Sequence, residues 1–444
     1  MSETGRQLAR QIFAEAMATT TIEAACARAL SVHDNTLVTG GRSYDLASFS
    51  SIRIVSIGKA GATLFDAVRG LLPRPLPVRA VISAPAPPNR LGTSDLYFRG
   101  GHPLPSAASL EAAEAALELL STADAGTLVI FLISGGASAM FEKPISPSIT
   151  LPDLIELNRQ LVGSGASIRQ INAVRKHLSA VKGGRLAVAA SQATKLSLFV
   201  SDVPGNALDA LASGPTLPDS TTLDQCRAVV EEYTPASSLP PSVRDALFGP
   251  LEETPKPDHP AFRNAYDLVL LDNAALLEAA SSAARHLGFE VIVDNACDDW
   301  DYQEAAAYLL QRAAELVTGH ASQRKRLCLL SGGEITVRLP ANAGTGGRNQ
   351  QLCLLAARAL QDSENMVLLS AGSDGIDGNS PAAGCVVDET TWRRAQEREL
   401  DPEHGLQAFD AYPLFASLGD AIVTGPSGNN LRDLRILLSG ADLR

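Results

Sequence analysis

A chain of 444 residues exceeds what one hydrophobic core ordinarily supports, so two domains are expected. With 45% hydrophobic and 19% charged residues, the composition is that of a soluble globular protein. The formal charge of −12 argues against a nucleic-acid or anionic-membrane surface but leaves room for a locally positive site that takes a small anion.

The N-terminus, MSETGRQLARQIF, has mixed charge and no apolar signal core, and residues 5–30 carry Leu8, Ile12 and Ala16 at the spacing of one long helix. A strand, Ile52–Ile57, runs into Gly58-Lys59-Ala60-Gly61 and the helical stretch Thr63–Leu72. Strands at Val78–Ser83 and Leu96–Phe98 follow, then GGHPLPS, an Ala/Leu/Glu helix at Ala107–Leu120, and strand Leu128–Ile133 leading into Ser134-Gly135-Gly136-Ala137-Ser138. Such alternation predicts a parallel sheet with helices on both faces. Leu128–Ile133 is the longest apolar run and is far too short to span a bilayer. Residues 150–190 read as helical and locally basic, and strand Leu196–Ser201 ends at Asp202-Val203-Pro204-Gly205-Asn206, followed by the turn Ala212-Ser213-Gly214-Pro215-Thr216. The Pro-rich stretch 251–264 is expected to link an N-terminal domain, 1–250, to a C-terminal α/β domain, 265–444. That second region closes with Ala421–Thr424, GPSGNN and a short Leu-rich helix. The cysteines at 26, 226, 297, 328, 353 and 385 form no CxxC pair, which fits a reducing, cytoplasmic setting.

Chemistry concentrates where apolar strands open into glycine. Between Leu327 and Gly384 three such turns occur: Ser331-Gly332-Gly333-Glu334, Gly344-Thr345-Gly346-Gly347-Arg348-Asn349 and Gly372-Ser373-Asp374-Gly375-Ile376-Asp377-Gly378. Glycine lets backbone amides approach a ligand closely, and ligands of open α/β sheets sit outside the carboxyl ends of strands. Arg348 opens a helical run and could grip a carboxylate or a phosphate through two parallel bonds. Lys59 holds the equivalent place in the first half, where a point charge neutralises a transferring phosphoryl group. The turn at 134–138 offers amides and two hydroxyls as a phosphate cradle. Asp202, Asp374 and Asp377 lie at or beyond strand ends; each could hold Mg²⁺ through waters and nucleotide oxygens, accept a substrate proton, or merely close an Asx-turn or cap a helix. A P-loop, a GxGxxG dinucleotide fingerprint, a nucleophile elbow and His at metal-ligand spacing are all absent.

The runs SGGASAMFEKP, INAVRKHLSAVKGGRLA, SDVPGN with ASGPT, SGGE, GTGGRNQ, GSDGIDG with AAG, and GPSGNNLRDLRILL resemble the glycerate 2-kinase family, in order and over nearly the whole chain. Some members of that family are labelled hydroxypyruvate reductases. The resemblance implies two α/β domains, the first Rossmann-like with a mainly parallel sheet, and an active site in the cleft between them. It implies ATP-dependent phosphorylation of D-glycerate at its 2-hydroxyl, with Mg²⁺, and allows a homodimer. The family's cleft lysine and arginine correspond to Lys59 and Arg348. On this reading Ser134, Gly135, Gly136, Ser138, Lys182, Ser213 and Gly214 hold ATP phosphates. Asp202 is the base, and Asp374 and Asp377 lie near the metal. The chain departs from the family pattern at Ser106, at Asn206 and Ala207 where acids are usual, at Pro381 and at Asn429. A nicotinamide-dependent hydroxypyruvate reductase and a non-catalytic small-anion-binding protein are the alternatives.

Overall fold

The computed structural model describes residues 4–73, 76–234, 238–320, 326–363 and 365–440. They divide into two units, Ile22–Leu270, and Leu271–Arg444 together with Met1–Thr21. The expected long first helix stops at Thr19 because three consecutive threonines follow Ala18, and the Thr19 and Thr20 hydroxyls bond back to the Ala16 carbonyl. A second helix, Ile22–Ala29, leads to a small antiparallel sheet unanticipated from the sequence: Leu30–His33 (β1), Thr36–Thr39 (β2) and Arg42–Asp45 (β3).

The main sheet of the first unit contains Ser51–Ile57 (β4), Val78–Ala84 (β5), Leu96–Arg99 (β6), Thr127–Ser134 (β7), Thr194–Val200 (β8) and Ala265–Leu271 (β9), in the order β6-β5-β4-β7-β8-β9. β4 to β8 pair in parallel, as the alternation of strand and helix requires. Every residue of β7 is buried. Its Val129, Phe131 and Ile133 pack with Ala112, Ala116 and Leu120 of helix Ala107–Ser121 on one face of the sheet. Helices Leu151–Gly163, Ile168–His177, Leu223–Tyr233 and Pro241–Phe248 share a separate core around Leu157, Val174 and Val230.

The Pro-rich stretch expected as a linker is instead packed into this unit. Glu253 accepts a hydrogen bond from His177 (2.8 Å), and the Thr254 hydroxyl donates to the wholly buried Asp219 (2.9 Å). Burial and these polar anchors outweigh the composition signal of a loop.

The second sheet contains Glu290–Val293 (β10), Leu327–Gly333 (β11), Met366–Gly372 (β12), Gly384–Asp388 (β13), Ala421–Ile422 (β14) and Asp433–Ser439 (β15), in the order β10-β11-β15-β12-β13-β14. β10 and β11 are parallel, and the remaining pairs are antiparallel. The Leu-rich terminal run, expected as a helix, is the central strand β15. A Leu-rich run broken by Arg432, Asp433 and Arg435 suits either state, and pairing on both edges decides for the strand.

Helix Gly5–Thr19 belongs to this second unit rather than to the N-terminal domain that sequence order assigns it to. Arg6 pairs with Asp388 (3.1 Å) and Asp420 (3.3 Å), and Arg10 donates to the Gly419 and Ala421 carbonyls. Phe13, 2% exposed, lies on its buried face. Phe13→Ala should cost about 3–5 kcal/mol. Hydrogen exchange should accelerate in helix Asn273–His286 and β12, which this helix contacts, and stay unchanged in β4 and β7. Faster exchange in β4 instead would refute this packing.

Candidate active site

In the first sheet β4 and β7 are neighbours, the chain turning toward β5 on one side and β8 on the other. Such a reversal opens a crevice at the carboxyl ends of the strands. The two residues placed there are Lys59, after β4, and Ser134, ending β7. The Ser134 hydroxyl accepts the Ala60 amide (3.0 Å) and donates to the Ile57 carbonyl (3.3 Å), while the Lys59 amide donates to the Gly135 carbonyl (2.9 Å). Ser134 is therefore a clasp between two strand ends, and its hydroxyl is not offered to a ligand. Gly58, at φ +109°, and Gly136, at φ +80°, supply backbone that side-chain-bearing residues rarely adopt. A Cβ on Gly58 would strike Ser134, and one on Gly136 would crowd Lys59 and His102.

This packing leaves the amides of Gly135, Gly136, Ala137 and Ser138 without a hydrogen-bond acceptor among the described residues. Successive unpaired amides form a concave anion site. Lys59 is exposed beside them, and its ammonium forms no ion pair among the described residues. The Asp202 carboxylate packs against Gly135 so closely that a Cβ there would collide with it. The Ser138 hydroxyl lies 3.0 Å from that of Ser213, which donates to Asn172 (3.0 Å). Ala212, Ser213 and Gly214 all have positive φ (54°, 59° and 60°), a strained run held by its surroundings, since the Ser213 and Gly214 carbonyls accept the Gly183 and Gly184 amides. The structure thus gathers Lys59, Gly135, Gly136, Ser138, Asp202, Ser213 and Gly214. The side chain at 206 lies outside the described residues, and Ser106 begins helix Ala107–Ser121 in a reciprocal cap with Ser109.

Lys182 does not join them through its amine. The residue is 2% exposed and its ammonium pairs with Glu142, whose other oxygen accepts the Ser179 hydroxyl (2.5 Å). Burial pushes the lysine below its ordinary pKa while Glu142 opposes the shift. Unanticipated from the sequence is a cavity of about 210 Å³ beside the 136–138 turn, bounded by His102, Asn158, Glu142 and Arg175. Only the local excess of basic residues between 150 and 190 hinted at it.

The second unit treats its glycine-rich turns differently. The Gly332 amide is taken by Asn295 (2.8 Å), Gly333 by Asn273 (3.0 Å), Glu334 by Asp298 (2.9 Å), Thr345 by Asp410 (2.7 Å) and Gly346 by Asn379 (2.8 Å). These turns, which look like anion sites in the sequence, accept side chains of the protein itself. Asp377, 2% exposed, takes the amides of Asn349 (3.1 Å) and Gln350 (2.9 Å) and thereby caps helix Arg348–Ala359. The side-chain amides of the same two residues also donate to it, and burial lifts its carboxyl to about 6. Asp374 accepts the Ile376 amide (3.1 Å) in an Asx-turn. Asp377 is thus a helix cap with both oxygens engaged, and Asp374 closes a turn with one of its two oxygens. The two-bond grip of Arg348 is spent on Asp433 (Nε 2.6 Å, Nη2 3.0 Å), with Glu334 at 3.0 Å. Arg348, Asp374 and Asp377 nonetheless border one cavity of about 720 Å³, with Ile335, Val337 and Phe409 along its apolar side.

His102 reports on the charge at the first site. Loss of hydration depresses its pKa, and the Lys59 ammonium lowers it further. Lys59→Met should therefore raise the His102 midpoint in an NMR titration; an unchanged midpoint would place the ammonium elsewhere.

Residues 8–248 match a domain of unknown function, DUF4147, and residues 327–433 match the MOFRL family. The chain is 31% identical to the glycerate 2-kinase of Pyrococcus horikoshii over 98% of its own length and 97% of that protein. It is 37% identical to the D-glycerate 2-kinase of Thermotoga maritima over 76% and 79%, respectively. The crystal structure of a glycerate kinase from Thermotoga maritima superimposes with a TM-score of 0.84 at 31% identity, covering 98% of this chain and 99% of that one. With sequence similarity of this extent and an overall structure that superimposes in this way, the chain belongs to the glycerate 2-kinase family.

Proposed function

We propose that this protein transfers the γ-phosphoryl group of ATP to the 2-hydroxyl of D-glycerate, giving 2-phosphoglycerate and ADP. One observation supports this most directly: at the reversal point of a parallel sheet, a lysine without an ion pair among the described residues stands beside four amides without an acceptor among them. Phosphoryl transfer requires placement and charge neutralisation more than covalent help from the protein.

On this reading the 135–138 amides hold phosphoryl oxygens, and Lys59 balances the charge that builds as the group moves. The acceptor oxygen bonds to phosphorus while the bond to the bridging oxygen of ADP breaks. The hydroxyl proton passes to Asp202, whose carboxylate packs on the same turn. Ser213 supports the turn through Ser138, and Gly214 follows it in the same positive-φ run. Arg348 has committed its Nε edge to Asp433, so its assignment is to the wall of the larger cavity rather than to a free anion fork.

A magnesium ion would supply positive charge to offset that of the phosphoryl group. Among the described residues no group of three or more His, Cys, Asp or Glu is placed to hold a metal ion. Both oxygens of Asp377 are saturated by amides, which does not suit a ligand. Asp374, half-buried and with one oxygen in an Asx-turn, is the better suited of the two as a carboxylate for a hard cation.

Coupling the product to enolase without phosphoglycerate mutase should yield phosphoenolpyruvate directly. Signal that appears only after mutase is added would make the product 3-phosphoglycerate. Lys59→Met should lower turnover on the order of a hundredfold or more, the scale of losing one preorganised charge, with the fold retained. Turnover within a few-fold of the parent would remove Lys59 from the mechanism.

A further inference from the structure

The cavity beside the 136–138 turn in the first unit has a feature that phosphate chemistry does not use. Arg175 stands in its wall on helix Ile168–His177, half-buried, and its Nε donates to the Asn158 side-chain oxygen at 2.8 Å. Asn158 is itself oriented, because its amide nitrogen donates to the Leu154 carbonyl (2.9 Å). Two linked bonds therefore hold the guanidinium through one edge, and its Nη1 and Nη2 form no hydrogen bond or ion pair among the described residues. Glu142, the nearby carboxylate on the cavity wall, is already engaged by Lys182, Ser179 and the Lys143 amide. With Glu142 offset by Lys182 behind it, the wall presents the Arg175 guanidinium as an open, preoriented pair of donor groups.

At about 210 Å³ the cavity is smaller than the range typical of drug-sized ligands, yet it adjoins Gly136 and Ser138 of the amide turn. A planar carboxylate on a short carbon chain matches both the charge and the size. We propose that Arg175 binds the carboxylate of the hydroxy-acid acceptor, with Asn158 as its positioning residue. A three-carbon 2-hydroxy acid seated there presents its hydroxyl toward the 135–138 turn and Lys59. This rests on the glycerate kinase reading above and moves the acceptor's carboxylate from Arg348, whose fork is filled by Asp433, to Arg175. Acceptor selectivity then comes from Arg175: an alcohol without a carboxylate leaves the buried guanidinium unpaired.

The test measures KM for D-glycerate and for ATP, and turnover of glycerol as a carboxylate-free acceptor, in the full-length protein and in Arg175→Met, Arg175→Lys and Asn158→Ala. Arg175→Met should raise the glycerate KM about ten- to a hundredfold, the scale of a charge-assisted bond, and leave the ATP KM within about twofold. Its preference for glycerate over glycerol should fall by a similar factor, which a merely structural arginine would not change. Arg175→Lys and Asn158→Ala keep the charge and should show smaller shifts in the same direction. If Arg175→Met does not fold, these two decide the matter. An unchanged glycerate KM, or equal losses for glycerate and ATP, overturns the assignment. Absence of glycerate-dependent ATP turnover in the parent protein would instead defeat the kinase reading, so the two failures are separately visible.

Discussion

Backbone amides at the ends of buried strands must find acceptors, and this requirement shapes both halves of the molecule. A strand that stops at glycine exposes amides that neither ladder nor helix can satisfy. In the second unit Asn273, Asn295, Asp298, Asn379, Asp410 and Asp377 turn inward and take them. Asp433, at the start of β15 between Gly333 and Gly372, draws Arg348 across the strand ends. In the first unit the amides of the 135–138 turn have no acceptor among the described residues, and the Asp202 carboxylate packs against Gly135. Identical-looking glycine turns therefore differ in electrostatic sense according to which side chains the fold brings to them.

That difference explains which parts of the site could be read in advance. The parallel sheet followed from strand and helix alternation, and Lys59 followed from its place after a buried strand. A reversal of strand order at that point makes its position more than a coincidence of glycine content. The roles of Asp374 and Asp377 turned on contacts with residues 25 or more positions away, or on a turn two residues long, and spacing alone offered both outcomes. Arg175 was legible only as one of several basic residues on a helix, because its significance comes from Asn158 on a different helix and from a turn nearly forty positions earlier in the chain.

The fold shows the same division. Helix Arg348–Ala359 and strands β4, β7 and β11 carry strong local patterns and were legible. The run Leu434–Leu438 was not, since only its neighbours β11 and β12 make it a strand. Nor could the helix Gly5–Thr19 be assigned to the second unit from its periodicity, which states that one face is buried but not against what. The stretch 251–264 contains the prolines of a linker, yet Glu253 and Thr254 satisfy His177 and Asp219. Composition describes the segment's own preferences; burial of distant polar groups that need partners overrides them.

Four of the six lysines of the first unit differ in what engages their charge. Lys176 is 2% exposed and held by Asp209 (2.8 Å) and Asp219 (3.1 Å). Lys195, 1% exposed, donates to the Ala193 (2.8 Å) and Ala190 (3.1 Å) carbonyls, and burial brings its pKa down to about 8. Lys182 faces Glu142 in a buried pair, where removing either partner strands a charge at a cost of about 3–5 kcal/mol. Each of these ammonium groups is fully used in holding the fold. Lys59 alone of these four stands exposed, beside amides that have no acceptor among the described residues, and its ammonium makes no ion pair among them. On the proposed mechanism such a group, placed where the sheet opens, would neutralise a charge that appears only during reaction without first giving up an ion pair of the kind that holds Lys176 or Lys182.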